Sequence, residues 1–189
     1  MKYWFTSDTH FGFERTLQLS RRPFDNVKEM DNTLIDNWNN VVGKDDIVYH
    51  LGDFGDYKTV KELNGKIILI EGNYELKDKE LIFNNENDSF EKYLTDSGFK
   101  EFIPYLGFSH RAYIDDKLVF MAHEPSKLFK TFDKENDIQI FGHIHEKQMI
   151  KRFGMNVGVD CHNFTPIDIE TIKFYTNALL NFYDEEVFM

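Results

Sequence analysis

Four short segments constrain this chain more than any other feature: Asp8-Thr9-His10, Gly52-Asp53, Gly72-Asn73 and Gly142-His143-Ile144-His145. Each follows a short apolar run that reads as a strand, as in Lys66-Ile67-Ile68-Leu69-Ile70. A further histidine, His123, follows Met121-Ala122 at another strand end. The set offers two Asp, one Asn and four His, enough oxygen and nitrogen to hold two divalent metals. A two-metal site implies in-line displacement at phosphorus or a carbonyl. Gly-Asp or Gly-Asn alone marks an ordinary turn; the ordered set carries the reading.

The chain has 189 residues, which suits one domain spanning 1–189. It is 41% hydrophobic and 29% charged, as expected of a soluble globular protein, and its 19 Phe predict a Phe-rich core. No apolar run is long enough to cross a bilayer, so no membrane association is expected. Met1-Lys2-Tyr3-Trp4-Phe5 runs straight into the first motif without a cleavage pattern, so no signal peptide is expected either. The one cysteine, Cys161, excludes an intramolecular disulfide and leaves any metal to nitrogen and oxygen ligands. A cytoplasmic, reducing compartment follows as the expectation. The net charge of -11 argues against extended binding to duplex nucleic acid. It leaves a small phosphate ester, a nucleotide, or a nucleic-acid end drawn in by metals.

The early pattern alternates strand and helix. Strands are predicted over residues 2–7, 47–51 and 66–71, with a loop over 8–25. Asn26 and Glu29 have capping-box spacing before a helix over 27–42. A short helix through Val60 and Leu63 stops at Gly65, and residues 90–97 form another with Gly98 as its C-cap. Strand signals resume over 99–105. The later part is rich in hairpins: residues 110–114 and 117–122 flank Asp115-Asp116, and 149–152 and 155–159 turn at Gly154. Residues 124–137 read as a charged loop, followed by a short strand over 138–141. A segment from Asp168 onward is open between helix and strand, and Asp184-Glu185-Glu186 reads as a solvated ending. This order predicts an α/β fold in which two mixed β-sheets pack as a sandwich flanked by helices. The loops after the strands gather the ligands at one edge.

In this order the segments resemble the calcineurin-like metallophosphoesterase superfamily, in particular its small phage and bacterial members. The family pattern is D-x-H, G-D, G-N-H-D/E, H and G-H-x-H; here it reads Asp8-Thr9-His10, Gly52-Asp53, Gly72-Asn73-Tyr74-Glu75, His123 and Gly142-His143-Ile144-His145. The runs Arg22-Pro23-Phe24 and Asn156-Val157-Gly158-Val159-Asp160 also look like segments of the small members. The resemblance implies a four-layer αββα fold and two divalent ions. One would take Asp8, His10, Asp53 and His145, the other Asp53, Asn73, His123 and His143, with Asp53 bridging. Asp53, Asn73 and His123 are then catalytic as well as metal-holding. Imidazole ligands suit Mn²⁺ first, with Fe, Ni or Zn as alternatives, whereas all-oxygen sites favour Mg²⁺ or Ca²⁺. A hydroxide between the metals, about 3.5–4 Å apart in such sites, is the implied nucleophile.

The chain departs from the pattern at Tyr74, where the family carries a histidine proposed to protonate the leaving group. A phenol has a reference pKa near ~10 and is a poor proton shuttle at neutral pH, though it can hydrogen-bond to substrate. Glu75 keeps the acidic position without an imidazole to orient. Phe11-Gly12-Phe13 likewise lacks the histidine of the family's F-G-H. Loss of a general acid, worth ~10²–10⁴-fold, hurts most with poor leaving groups. The expectation is therefore phosphodiester hydrolysis, with nucleotide-type diesters as the substrate class. The alternatives are a phosphomonoesterase or protein phosphatase, and a non-catalytic protein-binding scaffold of the same fold.

Tyr74 and Arg22 are the candidate substrate contacts. Arg22 lies in a loop near the first motif and can grip a phosphate bidentately or form a structural salt bridge; Arg15 is a weaker candidate of the same kind. Asp56 is expected to brace the site from behind. His50 reads as buried and hydrogen-bonded, His110 as a strand or surface residue, and His162 as core or surface. Cys161 has no base partner and reads as unreactive. The oligomeric state is open at this stage.

Overall fold

A computed structural model describes residues 1–131, 133 and 135–182. In chain order, β1 (Tyr3–Thr6) is followed by α1 (Glu14–Leu19), α2 (Val27–Val41), β2 (Ile47–His50), β3 (Lys66–Ile70), α3 (Asn73–Ile82), α4 (Asn87–Ser97) and β4 (Glu101–Ile103). α2 starts where the capping signal placed it: Asn26 Oδ1 accepts from Glu29 N at 3.0 Å, and Glu29 Oε2 accepts from Asp25 N at 2.8 Å. Its buried residues are Met30, Leu34 and Trp38, the predicted stripe. The expected short helix before Gly65 is a 3-10 turn over Tyr57–Glu62.

Two helices depart from expectation. α1 lies inside the segment read as loop, and its first cap residue, Phe13, makes no side-chain cap that would announce it. α3 begins at the third motif, where no helix was predicted. Its buried residues are Glu75 and Lys79 rather than apolar ones, so no hydrophobic period marks it.

The remaining elements are β5 (His110–Ile114), β6 (Lys117–Met121), β7 (Asp137–Phe141), β8 (Ile150–Lys151), β9 (Gly154–Asn156), β10 (Ile167–Asp168) and α5 (Ile169–Phe182). β5 and β6 form the predicted antiparallel hairpin, as do β8 and β9. The undecided segment after Asp168 is helix. The acidic ending Asp184-Glu185-Glu186 lies outside the described residues.

The strands form two five-stranded mixed sheets, ordered β10-β1-β2-β3-β4 and β5-β6-β7-β9-β8. Alternation along each strand divides its side chains between two layers. Trp4, Val48, Ile67 and Leu69 face α2 and α4, where Leu34, Trp38, Phe90 and Leu94 complete one core. Phe5, Tyr49, Ile68 and Ile70 face the second sheet, meeting Val119, Met121, Ile138 and Ile140 in another. Ile169 and Ile172 of α5 join this inner core. The outer face of the second sheet carries Phe120 and Phe141, packed with Leu128, Ile144 and Phe153.

β1, β2, β3 and β4 are mutually parallel, and so are β6, β7 and β9. Their C-terminal ends therefore point the same way within each sheet. A parallel bridge from Ser7 to Gly158 joins the two sheets at that edge. All five motif segments emerge there.

Candidate metal centre

The strand ends meet closely because glycine allows it. A Cβ on Gly52, whose φ is +90°, would lie 2.5 Å from Gly72 Cα. A Cβ on Gly142 would collide with the Ser7 and Asp8 side chains. The glycines that precede Asp53 and His143 thus permit neighbouring loops to stack with their polar residues side by side.

The seven expected ligand residues form one continuous cluster. His145 Nε2 lies 3.9 Å from Asp8 Oδ1, and the His145 ring stacks on His10 at 5.2 Å between centroids. His10 Nε2 lies 3.7 Å from Asp53 Oδ2. The same Oδ2 lies 3.5 Å from His123 Nε2. His123 Nε2 is 3.2 Å from His143 Nδ1, which is 3.4 Å from Asn73 Nδ2. Two trios have donor atoms all within 4.8 Å of one another: Asp8, His10 and His145, and Asp8, Asp53 and His123. Asp8 belongs to both, whereas the expected sets placed it in one only.

The backbone is strained here. Asp8, His10, Asp53, His143 and His145 have φ of 59°, 52°, 58°, 71° and 49°. For residues with a Cβ this left-handed conformation costs about 1–3 kcal/mol each and gathers at functional sites.

The ring tautomers suit cation binding. His123 Nδ1 lies 2.7 Å from the Leu51 carbonyl, which can only accept, so Nδ1 carries a proton and Nε2 faces the cluster. His145 Nδ1 lies 2.8 Å from the Asp160 carboxylate, which fixes the same tautomer. Ser20 Oγ also approaches that nitrogen, at 2.9 Å. His10 is 3% exposed, and neither ring nitrogen has a hydrogen-bond partner among the described residues. Such orphaned buried groups are costly, and a cation beside Asp8 and His10 would satisfy one of the two. These residues fit a divalent ion.

Electrostatics agrees. Burial pushes His10 down to about 4, leaving a neutral imidazole despite the nearby Asp8 and Asp53 charges. Burial would also lower His123, but its bond to Asp53 and the charges of Asp8 and Asp53 hold it up at about 9. Burial would raise Asp53, yet the bond and charge of His123 keep it well below the usual carboxylate range. A cation entering between them displaces the His123 proton.

Around this cluster stand residues the motifs did not reveal. Glu75 is fully buried and accepts from Asp53 N, Phe54 N and Gly72 N at 2.8, 2.9 and 2.9 Å. It lashes the second motif loop to the third; burial, then the Asp53 charge, pushes its carboxyl up to about 7. Asn156 Nδ2 donates to His145 O at 2.8 Å. The sequence showed Glu75 as the acidic position of the third motif, without its bracing role, and Asp160 only as part of a longer segment.

Tyr74 sits at the mouth. Its N–H donates to Asp53 Oδ1 at 2.9 Å, and its ring stands edge-on to His10 and Phe13 at 4.8 and 4.9 Å. Partial burial and the Asp53 charge raise its hydroxyl pKa, so it stays protonated.

Arg22 takes up the structural salt bridge that was the alternative to a phosphate contact. Its side chain is buried and its guanidinium is consumed by Asp160, Thr9 O, Asp8 O and Met30 Sδ. Arg15 is the exposed arginine whose charge reaches Tyr74. Asp56 does not brace the centre either: it is exposed and caps the 3-10 turn through Lys58 N at 3.0 Å. His50 Nε2 meets Thr9 Oγ1 at 2.9 Å, but its buried Nδ1 has no partner among the described residues. His162 Nε2 turns inward to Asn156 O at 2.7 Å. Burial, reinforced by the Asp160 charge, pushes the Cys161 thiol up to about 12, consistent with an unreactive residue. No helix among the described residues is long and apolar enough to cross a membrane.

Known proteins share this organisation. An uncharacterized protein of Methanocaldococcus jannaschii is 33% identical over 187 residues, covering 90% of this chain and 89% of that one. The gene 66 protein of Mycobacterium phage L5 is 44% identical over 61 residues, 32% of this chain and 29% of its own length. A crystal structure of a protein of unknown function from Aquifex aeolicus shares the fold, with a TM-score of 0.63 at 23% identity, covering 92% of this chain and 98% of that one. The calcineurin-like phosphoesterase superfamily domain matches residues 1–162, a span that holds every residue of the cluster. The chain therefore belongs to that superfamily of metal-dependent phosphoesterases.

Proposed function

We propose that the protein is a dinuclear metal-dependent phosphodiesterase acting on nucleotide-type diesters. The observation that carries the two-ion reading is the place of Asp53 Oδ2, 3.7 Å from His10 Nε2 and 3.5 Å from His123 Nε2. One carboxylate oxygen thus lies between an imidazole of each expected set. Asp8, His10, Asp53 and His145 would hold one ion, and Asp53, Asn73, His123 and His143 the other. The mixed imidazole and oxygen donors suit Mn²⁺, with Fe, Ni or Zn as alternatives. When bound, such ions polarise phosphoryl oxygens and lower the pKa of water.

The chain's own residues favour a diester. Tyr74 stays protonated, so it can donate a hydrogen bond to a phosphoryl oxygen but is too weak an acid to carry the leaving group's proton. A diester bears one negative charge where a monoester dianion bears two, and the chain itself carries a net charge of -11. Leu51 O and Asp160 hold the His123 and His145 rings in the ligating tautomer. A small ester substrate in a reducing, cytoplasmic setting agrees with the single Cys161.

The test is to strip the protein of metal, reload it with Mn²⁺, Ni²⁺, Zn²⁺ or Mg²⁺, and compare an aryl phosphodiester with an aryl phosphomonoester. Metal-dependent turnover faster on the diester is the expected result. Faster monoester turnover overturns the diester preference; absence of turnover with two ions bound overturns the catalytic reading in favour of a scaffold.

A further inference from the structure

Beside Asn73 and His123 the cluster opens into a cavity of about 190 Å³. It lies across the seam between the sheets, walled by residues that follow β3, β4 and β6. Its volume is below the ~300–1,000 Å³ of pockets that enclose drug-sized ligands, so it suits one ring system rather than an extended chain.

Three features define what fits. Leu76 and Tyr105 line the cavity and are 43% and 38% exposed, and Lys127 Nζ stands over the Tyr105 ring at 4.9 Å. Lys127 covers one face of that ring, and the opposite face is of the kind planar rings stack upon. Lys79 also lines the cavity, although it is only 8% exposed. Its ammonium bonds to Glu71 Oε1, whose other oxygen accepts from Tyr105 N at 2.9 Å. An ammonium has three donors, and Glu71 is the partner found for Lys79 among the described residues. With one donor engaged by Glu71, the ammonium can offer another to an acceptor that enters. Finally, the charges that line the cavity cancel: Lys79 and Lys127 against Glu71 and Glu124. The lining therefore carries no net formal charge to favour a second phosphate over an uncharged group.

We propose that this cavity binds the ring of the substrate's non-reacting ester group, an uncharged planar ring bearing hydrogen-bond acceptors, of which a nucleobase is the commonest biological example. The ring stacks on Tyr105 and accepts from Lys79, while the phosphate lies at Asn73 and His123. The proposal rests on the phosphodiesterase reading for the position of the phosphate, and on the cavity alone for the ring.

The experiment uses three diesters with one leaving group: the p-nitrophenyl phosphates of uridine, phenol and methanol, with the Mn²⁺-loaded protein. The uridine ester is expected to exceed both others in kcat/KM by about tenfold or more, mainly through KM, as base stacking on a protein aromatic ring allows. Tyr105→Ala and Leu76→Trp, which remove the face and fill the cavity, should each bring the three values together. Equal use of the phenyl and uridine esters overturns the acceptor requirement, and an unchanged preference in both variants overturns the location. In parallel, free uridine binding to metal-free protein is followed by saturation-transfer NMR. If no ester is hydrolysed with any metal, the phosphodiesterase reading falls; uridine binding that is lost in both variants still supports the cavity, and absence of binding overturns it.

Discussion

Arg22 and Asp160 meet side-on across 138 residues of sequence, with Nε donating to Oδ1 at 2.8 Å and Nη2 to Oδ2 at 2.9 Å. Through the same two side chains, the backbone carbonyls of Asp8 and Thr9 are tied to the ring of His145. The pair is a clasp behind one half of the metal cluster. Arg22→Met leaves the buried Asp160 carboxylate with His145 as its remaining partner and should cost about 2–4 kcal/mol, less than a fully unpaired buried charge, roughly a 10 °C fall in Tm for a chain of this size. Arg22→Lys keeps charge but not the two parallel bonds, and should recover little of it. Asp160→Asn should weaken metal binding about 10–100-fold, read by metal titration. A raised KM with unchanged Tm in Arg22→Met would instead mark a substrate contact.

Asp53 predicts a stoichiometric result. Its Oδ2 is shared between His10 and His123, so Asp53→Ala should lose both ions together, along with activity. His10→Ala, which touches one side of the cluster, should lose one ion. Metal content by mass spectrometry after desalting separates the two patterns; retention of one ion by Asp53→Ala would refute the bridge.

Tyr74 stands at the mouth, edge-on to His10. Replacing its phenol with an imidazole supplies a group that titrates near neutrality. Tyr74→His should raise the ratio of monoester to diester turnover by about tenfold or more, within the ~10²–10⁴-fold range of general acid help. An unchanged ratio would show that this position does not set the preference.

Asp46 gives a pH signature away from the centre. Burial would raise its pKa, but bonds from Lys2 N, Trp4 Nε1 and Gly43 N hold the carboxyl below its ordinary value. A carboxylate lowered in the folded state stabilises above its unfolded pKa of about 4, and that stability is lost as pH falls through the lower folded value. Asp46→Ala should therefore cost about 1–3 kcal/mol at pH 7, and the Tm gap from the parent should narrow below about pH 4. A gap that is constant with pH would mean the loss is one of packing.

The sequence made the strands and the ligand set legible for one reason: both are written in local patterns. Alternating apolar runs such as residues 66–70 end in polar motifs, and the edge at which those motifs meet follows from parallel strand order. Helix α2 was legible through Asn26 and its apolar stripe. Helix α3 was not, because it buries Glu75 and Lys79, whose reasons for burial are polar partners outside the helix that no apolar period marks. Arg22 stayed open between a phosphate grip and a salt bridge for a related cause. Its position beside the first motif suggested substrate, but its partner Asp160 is invisible until the chain has folded. Polar residues advertise chemistry in a sequence, whereas only three-dimensional pairing tells a tool from a fastener.

The clasp and the cluster together draw on residues 8 to 160, contributed by both sheets. A ribosome adding about 5–20 residues per second therefore exposes Asp8 and His10 for roughly 10–30 s before Asp160 exists. During that interval the early ligands are ordinary polar side chains on a growing chain, with weak and undiscriminating affinity for any cation they meet. The full cluster exists only after the second sheet has docked, so its complete donor set is a property of the finished protein rather than of the growing chain.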